Sequence, residues 1–287
     1  MRGLAETFGA ITLVNALPTG IGAAAAIDLP VRVGATLTPA APGRVRVARG
    51  TSTPLVERSA GAAAERYLGE PADVLLEIDS EVPFGQGLKS SSAVSSAVIG
   101  AIANAAGSRP TPEEVAHLSA DVSQTIGLSA TGAFDDAFAS ITGGAAVTNN
   151  PVRKVLRRLE LPDGLDVVLW NPGGMHPPSP SARARFAAVS EEGQAVVDAI
   201  LSGDPFEAMR RNTVLVERAM GYRYRDLRET LEAAGAIASG VSGLGPTLAI
   251  VVPDDACERV RSLLPSAGNY LRTASFRRAR TTSGAGP

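Results

Sequence analysis

The chain predicts an α+β fold in two parts, and three observations carry that expectation. Strand-like stretches come in adjacent groups instead of alternating one-for-one with helices. At 287 residues the chain is long enough for two modest domains or one large one. Alanine, glycine and valine abound while aromatics make up only 4%, so small side chains let the elements pack closely.

Taken in order, Ala10 to Leu17 is β-branched and reads as a first strand, broken by Pro18-Thr19-Gly20-Ile21-Gly22. Val31–Leu37 and Arg44–Val47 read as further strands, with Pro39 to Gly43 as the turn between them. A helix is expected from Pro54 to Leu68, then a strand over Asp73–Ile78 and a helix over Ser90–Ala106. Thr111-Pro112-Glu113-Glu114 has threonine at N-cap, proline at N1 and glutamate at N3, which starts a helix running to about Ile126. Thr131 to Ser140 leads into Gly143-Gly144 and a strand at Ala145–Thr148. Pro162 and the basic residues before it suggest a boundary, giving parts at 1–160 and 161–280, with 281–287 as a disordered tail. The second part opens on a strand at Leu165–Trp170 and a proline-glycine loop to Pro180. Helices follow near Ser181–Leu201, Pro205–Met220 and Tyr224–Ala234, then a strand over Thr247–Val252, a helix at Asp254–Leu264 and a last strand at Tyr270–Phe276.

Bulk properties narrow the function. A net charge of -2 supplies no basic field for nucleic acid, and the apolar runs are too short to cross a bilayer. The one cysteine, Cys257, excludes an internal disulfide and fits a reducing compartment. No leader pattern is read at the N-terminus, so a cytoplasmic protein with a small-molecule partner is expected. Oligomeric state is left open.

The densest chemistry lies in Pro83-Phe84-Gly85-Gln86-Gly87-Leu88-Lys89-Ser90-Ser91-Ser92-Ala93, immediately before an alanine-rich helix. Glycines let the backbone turn and approach a ligand, and a helix N-terminus offers unpaired N–H groups to a phosphate. Lys89 is one of only two lysines in an arginine-using chain, a compact ammonium suited to phosphate. Two better-known loops do not fit. A Walker loop would put Gly directly before Lys, whereas Leu88 intervenes. Gly20-Ile21-Gly22-Ala23-Ala24-Ala25 imitates a dinucleotide fingerprint, but Pro30 would cut its helix short and no acid follows about twenty residues on.

The pattern resembles the galactokinase, homoserine kinase, mevalonate kinase and phosphomevalonate kinase (GHMP) superfamily. Pro83, Gly87, Leu88, Ser90, Ser91 and Ala93 match its phosphate loop, Gly132 through Gly144 its central element, and Gly240-Val241-Ser242-Gly243-Leu244-Gly245-Pro246 its C-terminal glycine motif. Lys89 and Ser92 depart from the general loop. Gly-Leu-Lys-Ser-Ser-Ser-Ala, Thr-Gly-Ala-Phe-Asp-Asp-Ala and the opening Gly9 to Gly20 are similar to the archaeal-type shikimate kinase branch. The lysine and Gly-Glu-His of mevalonate kinases are absent near Ala10 and Asn15, while the third motif is shared with homoserine kinases.

The resemblance implies a nucleotide-binding first half, a ferredoxin-like second half, and ATP with Mg2+ as cofactors. It implies ATP phosphates held by Pro83, Gly85, Gly87, Leu88, Lys89, Ser90, Ser91 and Ser92, with Gly243 and Gly245 from the third motif. Counting back from Gly143 puts the catalytic aspartate on Asp136, with Ser140 as companion serine, and Lys89 neutralising developing charge. Asp136 would act as general base or electrostatic partner, its pKa raised by neighbouring Asp135. Without the resemblance, Asp135 and Asp136 would read simply as a helix start. Ser91 falls at the magnesium serine. The family's glutamate has no counterpart near Ser123–Thr125, and Asp121 is the nearest acid. Glu113 and Glu114 read as helix-cap residues. Shikimate carries a carboxylate and three hydroxyls, so Thr12, Asn15 and Thr19 are expected to give polar contacts, with Arg183, Arg185 and Arg272 as carboxylate candidates. His117 and His176 read as structural, and Cys257, on an expected surface helix without a histidine partner, is not read as a nucleophile. Homoserine is the rival acceptor, and a non-catalytic nucleotide or metabolite sensor the alternative of another class.

Overall fold

The computed structural model describes residues 1–174, 180–266 and 270–280. His176 and the tail 281–287, expected to be structural and disordered respectively, lie outside the described residues.

The first sheet is built on β2 (Ile21–Pro39), a single long strand where the sequence suggested a break and a shorter one. β1 (Arg2–Val14) runs antiparallel along one edge of it, from Arg2 opposite Thr36 to Val14 opposite Ala23. The other edge is shared. β4 (Ala72–Ser80) pairs Val31–Pro39, and β5 (Ala145–Asn149) pairs Ile21–Ala25. β3 (Val45–Arg49) and β6 (Lys154–Leu159) close the two sides, in the order β3-β4-β2-β5-β6. The glycine-alanine stretch that imitates a dinucleotide loop is therefore strand, and Ala23 to Ala26 are fully buried in it. Pro30 sits opposite Phe8, where the β1–β2 register slips, a place where a missing donor is tolerated.

Helices α1 (Pro54–Tyr67), α2 (Ser90–Ala105), α3 (Pro112–Thr125) and α4 (Phe134–Thr142) belong to this half. α2 carries alanine and serine on its buried side. A side chain at Gly3 would strike the Ala105 nitrogen at 2.2 Å, so the close approach of α2 to β1 requires glycine there. Phe134 and Phe138 of α4 are fully buried, and the His117 ring packs tilted against Phe134 with ring centroids 5.1 Å apart.

The second sheet is β7 (Leu165–Asn171), β8 (Ala238–Val241), β9 (Leu248–Pro253) and β10 (Tyr270–Ser275), all antiparallel in the order β10-β7-β9-β8. Helices α5 (Pro180–Ala187), α6 (Ser190–Ser202), α7 (Pro205–Met220) and α8 (Arg225–Ala233) join β7 to β8. A 3-10 turn at Asp254–Ala256 and α9 (Cys257–Ser262) join β9 to β10. Helices joining the first strand to the second and the third to the fourth, in a sheet ordered fourth-first-third-second, make this a ferredoxin-like arrangement. The single expected helix from Ser181 is two. β6 and β8 are strands the sequence did not announce.

After β10 the chain returns to the first sheet. Phe276 bridges Ile27 and the Arg277 N–H donates to the Ala26 carbonyl. The Arg277 carbonyl accepts from Gly144 N–H at 2.7 Å. Gly143 and Gly144 have φ of +69° and +66°, and a side chain at Gly143 would meet the Arg278 carbonyl at 2.4 Å. The Gly-Gly pair thus makes room for the returning chain. No described helix is long and apolar enough to cross a membrane.

Candidate active site

The two halves meet at a cleft of about 340 Å³, within the range of small-molecule sites. Its walls come from the end of β1, the loop Phe84–Lys89, the first turns of α2 and α4, the turn Gly243–Gly245 and Arg183 of α5.

Two helix starts line the cleft. Lys89 is the N-cap of α2, left-handed at φ 64° and ψ 25°, with no side-chain cap. Ser90, Ser91 and Ser92 follow as the first turn and line the cleft. Ala133 is the N-cap of α4, also left-handed at φ 52° and ψ 44° and also uncapped by a side chain. Residues other than glycine hold this conformation at a cost of about 1 kcal/mol or more each. At α2 open donors and a dipole end suit an anion, whereas at α4 the Asp135 N–H already donates to Asn150 Oδ1 at 3.1 Å.

Lys89 and Asp136 join the two helix starts. Lys89 Nζ lies 2.9 Å from Asp136 Oδ1, with both side chains nearly buried. The contact is an ion pair without hydrogen-bond alignment, since Asp136 Oδ1 has no hydrogen-bond partner. Beside it, Asp135 is 5% exposed. Burial first, then the Asp136 charge, push its carboxyl up to about 7, against the opposing pull of Lys89 and a hydrogen bond from Asn150. Gly22 makes the room: a side chain there would lie 2.3 Å from Asp135 Oδ2.

A clasp of hydrogen bonds joins the halves beneath the Phe84–Lys89 loop. Ser242 Oγ donates to the Gly87 carbonyl at 2.8 Å and accepts from Thr12 N–H at 3.2 Å. Thr12 Oγ1 accepts from Gly243 N–H at 2.8 Å, and Asn15 Nδ2 donates to the Gly243 carbonyl at 3.1 Å. Gly87, at φ +77°, admits no side chain, because Cβ would sit 2.2 Å from the Ser242 carbonyl. Tyr222 and Tyr224 hold the far end, donating to the carbonyls of Leu244 and Pro246.

The structure brings most of the expected residues together. Gly85, Gly87, Lys89, Ser90, Ser91, Ser92, Asp136, Gly243 and Gly245 all line the cleft. Thr12 and Asn15 line it too, yet their side chains are engaged in the clasp. Pro83 and Leu88 do not line it. Leu88 is a core residue, 1% exposed, whose carbonyl accepts from Ala10. Thr19 is corrected: its hydroxyl closes a local turn onto Ile21 N–H and its methyl packs at Gly193, away from the cleft. Asp121 is corrected as well. It sits on the outward side of α3, 57% exposed and paired with Arg153, in a separate depression between α1 and α3. Ser140 is buried on α4 and does not reach the cleft. Glu114 completes the α3 capping box, which holds its carboxyl below the usual range through the Thr111 backbone N–H, and Glu113 pairs with Arg158.

Of the three arginine candidates, Arg272 pairs with Glu81 at 2.6 Å and exposed Arg185 lies against Met220. Arg183 lines the cleft and has no ion pair or hydrogen bond among the described residues. Asn150, Gly22 and Asn212, whose Oδ1 accepts from Asn15 N–H, are site-building residues that sequence reasoning missed. Only the lone glycines in an alanine strand hinted at one of them.

Comparison with known proteins decides the family. Residues 54–144 match the GHMP kinases N terminal domain and 198–269 the GHMP kinases C terminal domain. The chain is 30% identical over 277 residues to the shikimate kinase of Pyrococcus furiosus, covering 96% of this chain and 100% of that protein. It is 32% identical to the shikimate kinase of Halobacterium salinarum, covering 98% and 100%. The chain belongs to the GHMP kinase family. Solved GHMP kinases share the fold: a homoserine kinase from Cytophaga hutchinsonii has a TM-score of 0.75 at 17% identity, covering 97% of this chain and 96% of that one. The mevalonate kinase of Methanococcus jannaschii has a TM-score of 0.77 at 15% identity, covering 96% and 98%. This GHMP kinase is an ATP-dependent small-molecule kinase, not the sensor that the sequence left open.

Proposed function

We propose that this kinase transfers the γ-phosphoryl group of ATP to the 3-hydroxyl of shikimate, a step toward the aromatic amino acids, and that it acts in the cytoplasm. The observation that carries the reading is near-full-length similarity, at 30–32% identity, to archaeal proteins named shikimate kinase. The cleft supports it: the uncommitted Arg183 suits the acceptor carboxylate, facing a loop and a helix start suited to phosphates. In this reading residues 1–160 carry the nucleotide and 161–280 complete the acceptor side.

Phosphoryl transfer needs positioning and charge neutralisation more than covalent chemistry. The first-turn N–H groups of α2 and the backbone of Gly85 and Gly87 hold the phosphates of ATP. Lys89 balances charge developing on the transferred group. Asp136 takes the acceptor hydroxyl proton, or stabilises it as it leaves. The acceptor oxygen forms a bond to the γ-phosphorus as the bond from that phosphorus to the bridging oxygen breaks, and ADP departs with that electron pair.

Magnesium fits the residues present. No group of three or more His, Cys, Asp or Glu among the described residues could cage a metal. This ion, however, takes oxygen donors and keeps waters and phosphates as ligands. Ser91 and Ser123, both lining the cleft, are such donors. When bound, the ion neutralises phosphate charge.

The test is ADP release from ATP with shikimate, homoserine and mevalonate offered separately. Release with shikimate alone is the expected result, and release with homoserine in its place would overturn the acceptor assignment. Arg183→Gln should raise KM for shikimate roughly thirtyfold while leaving KM for ATP unchanged. An unchanged shikimate KM would remove Arg183 from the site.

A further inference from the structure

Asp135 is a cleft-lining, buried carboxylate to which the transfer described above gives no task. Its surroundings are specific. Asn150, 1% exposed at the end of β5, offers its amide to it. The amide orientation follows from its donors: Asn150 Oδ1 accepts from Asp135 N–H at 3.1 Å and from Thr148 Oγ1 at 2.6 Å. Nδ2 therefore faces Asp135, donating to Oδ1 at 2.7 Å. On the opposite side Oδ2 lies over the bare Cα of Gly22.

The charged groups around Asp135 are few. Asp136 adjoins it on α4, and Lys89 reaches across from α2. β2 presents Gly22, and β5 with its following turn presents the neutral Thr148 and Asn150. From α3, His117 is held against the Phe134 ring, and from α5, Arg183 lines the same cleft.

We infer that Asn150 is a positioning residue for the reaction, holding Asp135 in one orientation beside Asp136 and setting the protonation of the acidic pair. The inference rests on the kinase reading, because it supposes that the acceptor proton passes to this pair. A donor to a carboxylate favours the charged form. Lys89 balances one negative charge, so with both carboxylates ionised the pair has room for one proton from the acceptor. Loss of the Asn150 donor makes Asp135 hold its own proton to higher pH, and the pair then enters the reaction already occupied.

The experiment compares the full-length protein with Asn150→Ala and Thr148→Val. Thr148→Val keeps shape and leaves the amide in place without the donor that orients it. Two readouts are taken. One is the carboxyl-carbon NMR titration of Asp135 in aspartate-labelled protein, assigned with Asp135→Asn. The other is the pH profile of turnover. For Asn150→Ala the Asp135 midpoint is expected to rise by about one pH unit. Turnover near neutrality should fall about tenfold and recover as pH rises, with KM for ATP within about twofold. Thr148→Val should move both in the same direction by less. An Asp135 midpoint that stays put in both variants overturns the inference, whichever acceptor proves right. A moved midpoint with an unmoved turnover profile also overturns it, because the pair would then stand outside the reaction.

Discussion

Four helix starts in the first half divide into two kinds. α1 and α3 begin with threonine caps followed by proline. Thr53 accepts from Val56 N–H, and Thr111 forms a complete capping box with Glu114. α2 and α4 begin with left-handed Lys89 and Ala133, and neither side chain caps its helix. The first pair closes its own hydrogen bonds. The second pair has no cap of its own, accepts backbone strain, and lines the cleft; α4 borrows Asn150 to accept its Asp135 N–H. A helix end that must serve a ligand is kept unfinished by the chain itself, and the cost is borne where the chemistry needs it.

The largest expected break in this contrast comes at the ion pair that joins the two open ends. Asp136→Asn should lower kcat by about a hundredfold or more, with ATP affinity nearly unchanged by equilibrium binding. Retained turnover would remove Asp136 as base. Lys89→Gly sharpens the comparison because it separates two effects at one residue. Glycine accepts φ 64° without strain and alanine does not, so in denaturant melts Lys89→Gly should be about 1 kcal/mol more stable than Lys89→Ala, which loses the same ammonium from Asp136. Turnover should fall by roughly tenfold or more as the ammonium is lost. If Lys89→Gly is no more stable than Lys89→Ala, the strain argument fails.

Gly22→Ala attacks the support of the α4 start from β2. Its Cβ would intrude to 2.3 Å from Asp135 Oδ2 and displace the carboxylate. Turnover should drop about tenfold, a loss that normal rates in the variant would rule out. Asp135 also leaves a signature in stability. Its carboxyl is raised from 3.8 to about 7 in the fold. The unfolded chain therefore loses this proton first as pH rises. Stability from this group is present below pH 4, falls between pH 4 and about 7, and is constant above. The measurement is the difference in melting between wild type and Asp135→Asn across that window. A difference that does not vary with pH contradicts the burial of the charge.

Legibility in the sequence tracks how local each task is. The cleft-lining loop Phe84–Lys89, the α3 capping box and the ferredoxin-like half were visible through residues adjacent in the chain or through a known motif order. β6 was hidden because Lys154, Arg157 and Arg158 give an edge strand a charged, loop-like look. β8 was hidden inside the glycine motif, and the start of β2 looked like a ligand loop. Asp121 drew attention as the nearest acid in sequence, but helix geometry turned it toward Arg153. Thr12 could be placed at the site from sequence, while its task could not, since its partner Gly243 lies 231 residues away. Gly22 and Asn150 have the same explanation: each acts on Asp135 across a contact that only the folded chain makes.

The smallest effect is the control that gives the others meaning. Thr111→Ala removes the hydroxyl that accepts from Glu114 N–H and donates to Glu114 Oε2, while the Thr111 N–H still donates to that carboxylate. Loss of such a cap costs about 1 kcal/mol, which for a chain of this size lowers Tm by about 2 °C. Turnover should stay within experimental error, because α3 begins on the surface, away from the cleft. A cap lost at α3 then costs stability alone, whereas a change at the open starts of α2 or α4 costs rate. If Thr111→Ala slowed the reaction as Gly22→Ala does, helix integrity in general would explain both results. The division between closed and open starts would then carry no information about function.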